Sequence, residues 1–314
     1  MSNYMKLCLS ITVAMGLIAY GWAAIIGFGY PIWKDYVFSG ILFSVFASVA
    51  MFYTHVRRDP KIAGPCWAIA TFVFYMPFAI MYSYAIQTLN FPLADPLFVK
   101  WDAALGFHWL EWAKWYASFP QWFSEWSSFI YASSAKTMFA TAAFLIVTGR
   151  HKQLDEFVLL FLLTSTITST ISGFLPGENA YEYFKVSGEL DAALSPVVGQ
   201  GYMTDFYAIR DGSLQSLKVV DVQGLVAFPS FHTILSLVLI YVMRGSGIFF
   251  VISLIWNALI IATVPFDGAH YLTDMLSGVL VAIVAIAFMH WLEPRLNAFY
   301  AREKREPSGL VAAE

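Results

Sequence analysis

Charged residues are scarce in this chain. Only 12% of its 314 residues are Asp, Glu, Lys or Arg, whereas 59% are hydrophobic, and the mean hydropathy is +0.64. The net charge is −3 and no basic tract is present, so the sequence predicts no nucleic-acid partner. A chain with so few charges and so much apolar surface is predicted to cross a membrane several times.

Cysteine and sequence repetition are scarce as well. The two cysteines, Cys8 and Cys66, both fall in apolar segments, where a thiol usually behaves as a small buried hydrophobe. Neither a disulfide nor thiol chemistry is therefore expected. The lack of a repeat of about 20–50 residues excludes a solenoid. These absences leave one membrane domain as the simplest organisation.

Eight apolar segments approach the length of about 20 residues that a spanning helix needs. They predict an all-α, polytopic membrane helix bundle in which the last six helices form the core. We expect accessory N-terminal membrane helices over 1–60, the main membrane domain over 61–292 and a cytoplasmic tail over 293–314. The segments are 6–28, 37–54, 62–86, 126–148, 154–175, 231–244, 247–265 and 270–291.

The first of these segments has a second interpretation. Lys6 followed by an apolar run loosely resembles a cleavable signal peptide. The run continues to Phe28, which is longer than a signal peptide needs, so retention as a spanning helix is favoured.

Basic residues cluster in alternate connections between the segments. Eight crossings place all these clusters on one side, which the positive-inside rule makes cytoplasmic. Both chain ends are then cytoplasmic, and the long connections 87–125 and 176–230 lie on the opposite, outer side. A bacterial inner membrane with an outward, periplasmic site is the favoured location. The clustered residues are Arg57, Arg58, Lys61, Arg150, Lys152, Arg244, Arg295, Arg302, Lys304 and Arg305.

The connection 87–125 and its end at Trp126 hold six of the eleven tryptophans. Tryptophan interleaved with charged residues is typical of helices lying in the membrane interface. We predict one or two such helices, which serve as an aromatic belt or as a cover over a lipid entrance.

Residues 229–232 (Pro-Ser-Phe-His) open an apolar segment. Free N–H groups and the helix dipole make the start of a helix an anion site, and proline fits its first turn. The Ser230 hydroxyl could donate to a phosphate oxygen, and His232 could pass a proton to a departing oxygen. The alternative is an ordinary helix cap with an interfacial histidine.

His270 and Asp274 are four residues apart and so share one face of a helix. The carboxylate can orient one ring nitrogen, which leaves the other free to attack phosphorus. An acid within a spanning segment is costly and indicates function. A rival hypothesis makes His232, His270, Asp274 and Asp267 ligands of zinc or iron.

Together the two motifs resemble those of the type 2 phosphatidic acid phosphatase superfamily. Residues 228–232 (Phe-Pro-Ser-Phe-His) and 268–274 (Gly-Ala-His-Tyr-Leu-Thr-Asp) are most similar to the branch that contains inositol phosphorylceramide synthase and its bacterial relatives. The string at 270–274 is also similar to sphingomyelin synthases. Weaker support for the resemblance comes from residues 102–109, where Asp102, Gly106, Phe107 and Trp109 have the spacing expected for the family.

The resemblance implies a metal-independent mechanism without a cofactor. His270 would be the nucleophile, Asp274 its orienting partner, His232 the acid for the leaving group and Ser230 a phosphate ligand. The superfamily's Lys-x6-Arg-Pro motif is absent, and Val264 stands where an arginine is expected before the nucleophile.

A developing phosphoryl charge still needs a cation. The candidates are Arg210, whose planar fork suits phosphate, then Lys218 and the intramembrane Lys136.

The sequence therefore predicts a lipid phosphatase or lipid phosphotransferase that acts on a phosphorylated lipid, with membrane lipids around it and water or an alcohol as acceptor. The alternatives are a lipid transporter or flippase and a catalytically inactive membrane scaffold. A transporter is disfavoured because the two halves of the chain show no paired, interrupted helices.

Overall fold

Fourteen α-helices and one 3₁₀ turn form the fold of this computed structural model, which describes residues 1–29, 33–194, 197, 201–214 and 224–303. The predicted all-α class is confirmed. The helices are α1 (Asn3–Ile25), α2 (Trp33–His55), α3 (Pro60–Ala85, continued by the 3₁₀ turn Ile86–Leu89), α4 (Asp95–Ala104), α5 (Trp109–Ala117), α6 (Gln121–Ala132), α7 (Ser134–Val147), α8 (His151–Phe174), α9 (Ala180–Tyr183), α10 (Glu189–Leu194), α11 (Gly201–Arg210), α12 (Phe231–Val242), α13 (Ile248–Asp267) and α14 (Leu272–Glu303).

Six helices in the described part of the chain are long and apolar enough to cross a membrane by themselves, namely α1, α2, α3, α8, α13 and α14. The α6–α7 pair passes the same test as one bent span, and α12 is a shorter apolar helix. These elements coincide with the eight apolar segments of the sequence. The chain is an integral membrane protein.

The predicted continuous helix 126–148 is wrong, because the chain bends by 44° between α6 and α7. Ser133 stands at the break. Its hydroxyl donates to the carbonyl of Ile130 at 2.6 Å and accepts the indole N–H of Trp256 at 2.9 Å. The hydrogen bond from Trp256 of α13 thus holds the bend in place. A hydropathy profile cannot predict such a contact between distant residues.

Helix α8 lies at the centre of the bundle. Of its most apolar stretch 61% is buried, against 11% for α2. It packs against α1, α3, α7, α12 and α14, whereas α2 packs mainly on α3. The leucines of α8 fill the core, with Leu159, Leu160 and Leu162 fully buried. Helix α2 therefore lies at the periphery of the bundle, and the accessory role of residues 1–60 stays a prediction.

The bundle has two distinct ends. One end, which we call the histidine end, contains His232 and His270; α12 and α14 begin there, and α8 and α13 end there. The other, which we call the arginine end, contains Arg150 and Arg244; α8 and α13 begin there, and α12 ends there. The amide of Asn3 donates to that of Asn297 at 2.8 Å, so α1 starts at the arginine end, beside the last turns of α14. The described basic clusters of the helix connections also lie at the arginine end. Helix α14 runs past the predicted boundary at 292 to Glu303.

The tryptophan-rich connection folds into α4, α5 and the first turns of α6. Trp101, Trp112 and Trp115 are exposed, as an interfacial belt requires. Trp109 is instead buried, and its indole N–H donates to the carbonyl of Pro265 at 2.9 Å. These helices therefore lie at the surface of the bundle and also bind the end of α13.

Candidate active site

His270 lies in the short turn between α13 and α14, and Asp274 holds its ring. The ring Nδ1 is 3.0 Å from Oδ2 of Asp274, which also accepts the backbone N–H of Tyr271 at 3.0 Å. Both side chains are buried. Burial lowers the pKa of the His270 ring, which favours the neutral imidazole that a nucleophile requires. Asp274 engages Nδ1, so Nε2 is the ring nitrogen that this carboxylate does not hold.

The start of α12 docks directly on the first turn of α14. The backbone N–H of Ser230 donates to the carbonyl of Asp274 at 2.9 Å. This approach needs glycine at 278, because a Cβ there would lie 2.8 Å from the carbonyl oxygen of Ser230. This close contact fixes the two motifs against each other.

Ser230 is the N-cap of α12. Its hydroxyl oxygen accepts the backbone N–H of Thr233 at 3.4 Å and the hydroxyl of Thr233 at 3.2 Å, and the side chain is fully buried. Capping satisfies a free amide at the helix start. The interpretation of an ordinary cap thus describes what Ser230 does in this structure, while its contact with phosphate stays a prediction.

His232 is held by a tyrosine that the sequence motifs do not contain. Its Nδ1 is 3.1 Å from the hydroxyl of Tyr131, and the two ring centroids are 4.4 Å apart. Gly268 connects this pair with the other histidine, because a Cβ at 268 would lie 2.8 Å from both the Tyr131 hydroxyl and the His270 ring. Tyr131 therefore positions His232 and borders His270.

Both histidines line one cavity of about 460 Å³, which we call the histidine cavity. Its polar wall includes Asn179, Tyr131 and Tyr202, and its apolar wall includes Met76 and Phe161. Among the described residues that line it there is no Lys or Arg. The structure thus brings His232 and His270 together beside a space large enough for a phosphorylated head group.

Helix α4 supports the site from the membrane interface. The carboxylate of Asp102 accepts the backbone N–H groups of Leu272 at 3.0 Å and Thr273 at 2.8 Å, together with the Thr273 hydroxyl. This caps α14, whose own sequence supplies no such residue. Asp102 stood out in the sequence as the acid of the 102–109 string, but the sequence did not predict that Asp102 contacts α14.

A second acid of α4 holds the residue next to His270. Asp95 accepts the hydroxyl of Tyr271 at 2.9 Å and the backbone N–H of Glu178 at 3.0 Å. Burial raises the pKa of the Asp95 carboxyl. Sequence reasoning missed the roles of Asp95, Tyr271 and Tyr131. Asp95 and Tyr131 lie outside the recognised motifs, and Tyr271 occupies a variable position of the superfamily's His-x-x-x-Asp motif.

A sequence model of the PAP2 superfamily matches residues 97–288, which is more than half of the chain. The chain belongs to the PAP2 superfamily. The match runs from α4 into α14 and includes both histidine motifs. Membership indicates a phosphatase or phosphotransferase that acts on phosphorylated substrates. Searches of curated proteins and of solved structures found no match.

Of the candidate cations, the two that the structure describes, Arg210 and Lys136, do not line the histidine cavity. Arg210 ends α11, about 12 Å along the helix from the cavity residue Tyr202. One nitrogen of its guanidinium donates to the carbonyl of Phe91 at 2.6 Å, while Nη1 is buried without a hydrogen-bond partner. Lys136 is exposed on α7 and does not line the cavity. Lys218 lies outside the described residues.

Asp267, a candidate metal ligand in the rival hypothesis, has other partners. Its two carboxylate oxygens accept the hydroxyls of Ser127 and of Ser128, the latter at 2.6 Å. These bonds tie the end of α13 to α6. Within the described ranges, no group of three or more His, Cys, Asp and Glu side chains is placed to hold a metal ion.

Proposed function

We propose that this PAP2 protein is a metal-independent lipid phosphatase or phosphotransferase whose nucleophile is His270. The observation that carries the proposal is the hydrogen bond from His270 to the buried Asp274, on a ring that shares its cavity with His232. The motif strings at 228–232 and 268–274 favour the branch that contains inositol phosphorylceramide synthase.

In the first step, Nε2 of His270 attacks the phosphorus atom and the bond from phosphorus to the leaving oxygen breaks. His232 donates a proton to that oxygen, while Asp274 stabilises the positive charge that develops on the His270 ring. In the second step, water or an alcohol attacks the phosphohistidine, its proton passes to His232, and the phosphorus–nitrogen bond breaks. Water gives a phosphatase, and an alcohol gives a phosphotransferase.

The phosphoryl oxygens would bind at the start of α12, where amide N–H groups and the helix dipole favour an anion. Ser230 would add its hydroxyl hydrogen, since its oxygen already serves as the cap acceptor. Arg210 and Lys218 are the proposed cations, and they would move to the histidine cavity when the phosphate binds there. We do not propose Lys136, because its side chain is exposed away from the cavity.

The lipid substrate is supported by the setting of the cavity, whose apolar wall belongs to the membrane helices α3 and α8. The basic clusters support a cytoplasmic arginine end by the positive-inside rule. The histidine end would then face the periplasm of a bacterial inner membrane, and the head group would enter from the outer leaflet.

The test is turnover of a panel of lipid phosphates by the purified protein in EDTA, with and without alcohol acceptors. His270→Ala should lower turnover by about 10³-fold or more, since it removes the nucleophile. His290→Ala is the matched control, because His290 pairs with Tyr241 at the arginine end. A base-stable, acid-labile phosphoryl label should form on wild type and disappear in His270→Ala.

The outcomes separate the alternatives. Activity that EDTA abolishes and a divalent metal restores would contradict the metal-independent mechanism. Equal activity of His270→Ala and wild type would contradict the nucleophile. A wild-type protein that folds but neither hydrolyses nor transfers phosphate would favour the inactive scaffold, or a flippase if it moves lipids between leaflets.

A further inference from the structure

A second cavity, of about 280 Å³, lies between α3, α7 and α8. All twelve residues that line it are hydrophobic, among them Ile69, Phe72, Ala142 and Phe157. We call it the apolar cavity. No polar group in its lining could bind a head group, so any ligand there must be hydrocarbon.

The apolar cavity continues the histidine cavity along the same two helices. On α3, Val73 lines the apolar cavity and Met76 lines the histidine cavity, which is a step of about 4.5 Å. On α8, Val158 and Phe161 show the same step. The rings of Phe72 and Phe161, one from each cavity, contact each other with centroids 4.9 Å apart. This aromatic pair stands at the junction of the two cavities.

The combined length suits a lipid chain. The lining of α3 runs from Ser83 in the histidine cavity to Ala68 in the apolar cavity, which spans about 22 Å of helix. One leaflet of a bilayer is about 15 Å of hydrocarbon. At the rim, Phe139 is 62% exposed and Ala143 is exposed, so the apolar cavity opens sideways toward the bilayer. A chain could enter without leaving hydrocarbon.

We propose that the apolar cavity binds the hydrocarbon chain of the phosphorylated lipid whose head group lies at His270. The Phe72–Phe161 pair sets how deeply the chain enters. The proposal rests on the lipid substrate argued above. Because the chain passes from one hydrocarbon medium to another, transfer out of water contributes little, and selection comes from shape and packing. Chain length is therefore discriminated by steric fit in this cavity.

The test fills the apolar cavity with Ala142→Trp and compares dioleoyl with dihexanoyl substrates of one head group. We expect kcat/KM to fall about 10-fold or more for the dioleoyl lipid and less than about 2-fold for the dihexanoyl lipid. Ala140→Trp is the matched control, since Ala140 is exposed on the same helix and lines neither cavity. It should leave both values unchanged.

A second variant acts in the opposite direction. Phe72→Ala opens the junction and should raise the ratio of dioleoyl to dihexanoyl kcat/KM. The chain-binding proposal would be overturned if Ala142→Trp lowered kcat/KM equally for both lipids. It would also be overturned if neither variant changed the ratio of dioleoyl to dihexanoyl kcat/KM. A wild type that turns over only a water-soluble phosphate ester would instead contradict the lipid function itself, which keeps the two failures apart.

Discussion

Glu156 at the arginine end of the bundle and three acids at the histidine end have different kinds of partner. At the arginine end, Glu156 is fully buried and forms an ion pair with Arg244, and Lys152 lies 2.7 Å from Glu293. At the histidine end, Asp95, Asp102 and Asp274 accept backbone N–H groups, hydroxyls and an imidazole. Among the described residues, no Lys or Arg forms an ion pair with these three acids.

The difference separates stability from chemistry. An acid paired with a lasting cation is neutralised in every state of the protein, and the pair fastens helices together. An acid that holds an uncharged imidazole is balanced only when that ring becomes positive, as in a phosphohistidine. Under the proposed mechanism, the histidine end would therefore balance a charge that appears during the reaction. Substitutions of similar type at the two ends should have unlike effects.

The largest of these effects is expected at the contact between α12 and α14. Gly278→Ala places a Cβ 2.8 Å from the carbonyl of Ser230 and must push the two motifs apart. We expect turnover to fall about 100-fold, since a displacement of about 1 Å is enough for that loss. Gly21→Ala in α1, where a Cβ meets nothing within 4 Å, is the control. Full activity of Gly278→Ala would show that the spacing of the motifs is not critical.

A smaller effect is expected from a pair of tyrosines that each hold a histidine. Tyr131 lies 3.1 Å from His232 at the histidine end, and Tyr241 lies 2.8 Å from His290 at the arginine end. Tyr131→Phe should lower kcat by about 10-fold, the worth of one orienting hydrogen bond. Tyr241→Phe should leave kcat unchanged. Equal effects of the two variants would remove the functional distinction between the ends.

The smallest effect on activity is expected from Arg244→Ala, where stability should change instead. The substitution removes the nearer cation of the buried Glu156 and leaves it with Lys152, whose Nζ lies 4.0 Å from Oε1. We expect unfolding in detergent to become easier by about 2–3 kcal/mol, a reduced value for a buried pair because Arg244 is 37% exposed. Turnover of the folded protein should stay within about 2-fold of wild type. A large loss of turnover without loss of stability would contradict a purely structural role.

Hydropathy and motif spacing predicted the parts of this molecule that depend on local sequence. Spanning helices need only a long apolar run, so each of the eight segments found a counterpart. The predicted pairing of His270 with Asp274 is present, but the predicted shared helix face is wrong, because His270 lies in the turn before α14 and only Asp274 belongs to the helix.

The unpredicted parts depend on contacts between distant residues. Tyr131 and His232 are 101 residues apart, and no local pattern distinguishes Tyr131 from other interfacial tyrosines. Lys136 appeared to lie midway along a continuous helix, but the break at Ser133 gives α7 its own start and direction. The face that Lys136 presents could not be predicted without that bend. Arg210 was chosen by chemistry alone, and its helix carries it away from the cavity.

The capping of α14 by Asp102 has a consequence for biogenesis. The acid is 170 residues before Leu272, whose backbone N–H it accepts, and the apolar elements α6–α7, α8, α12 and α13 lie between them. Membrane helices insert first and pack afterwards, so this bond can form only when the last helix has joined the others. His270 stands directly before that same helix start. A chain still emerging from the ribosome therefore lacks the completed histidine site, which forms only once assembly is complete.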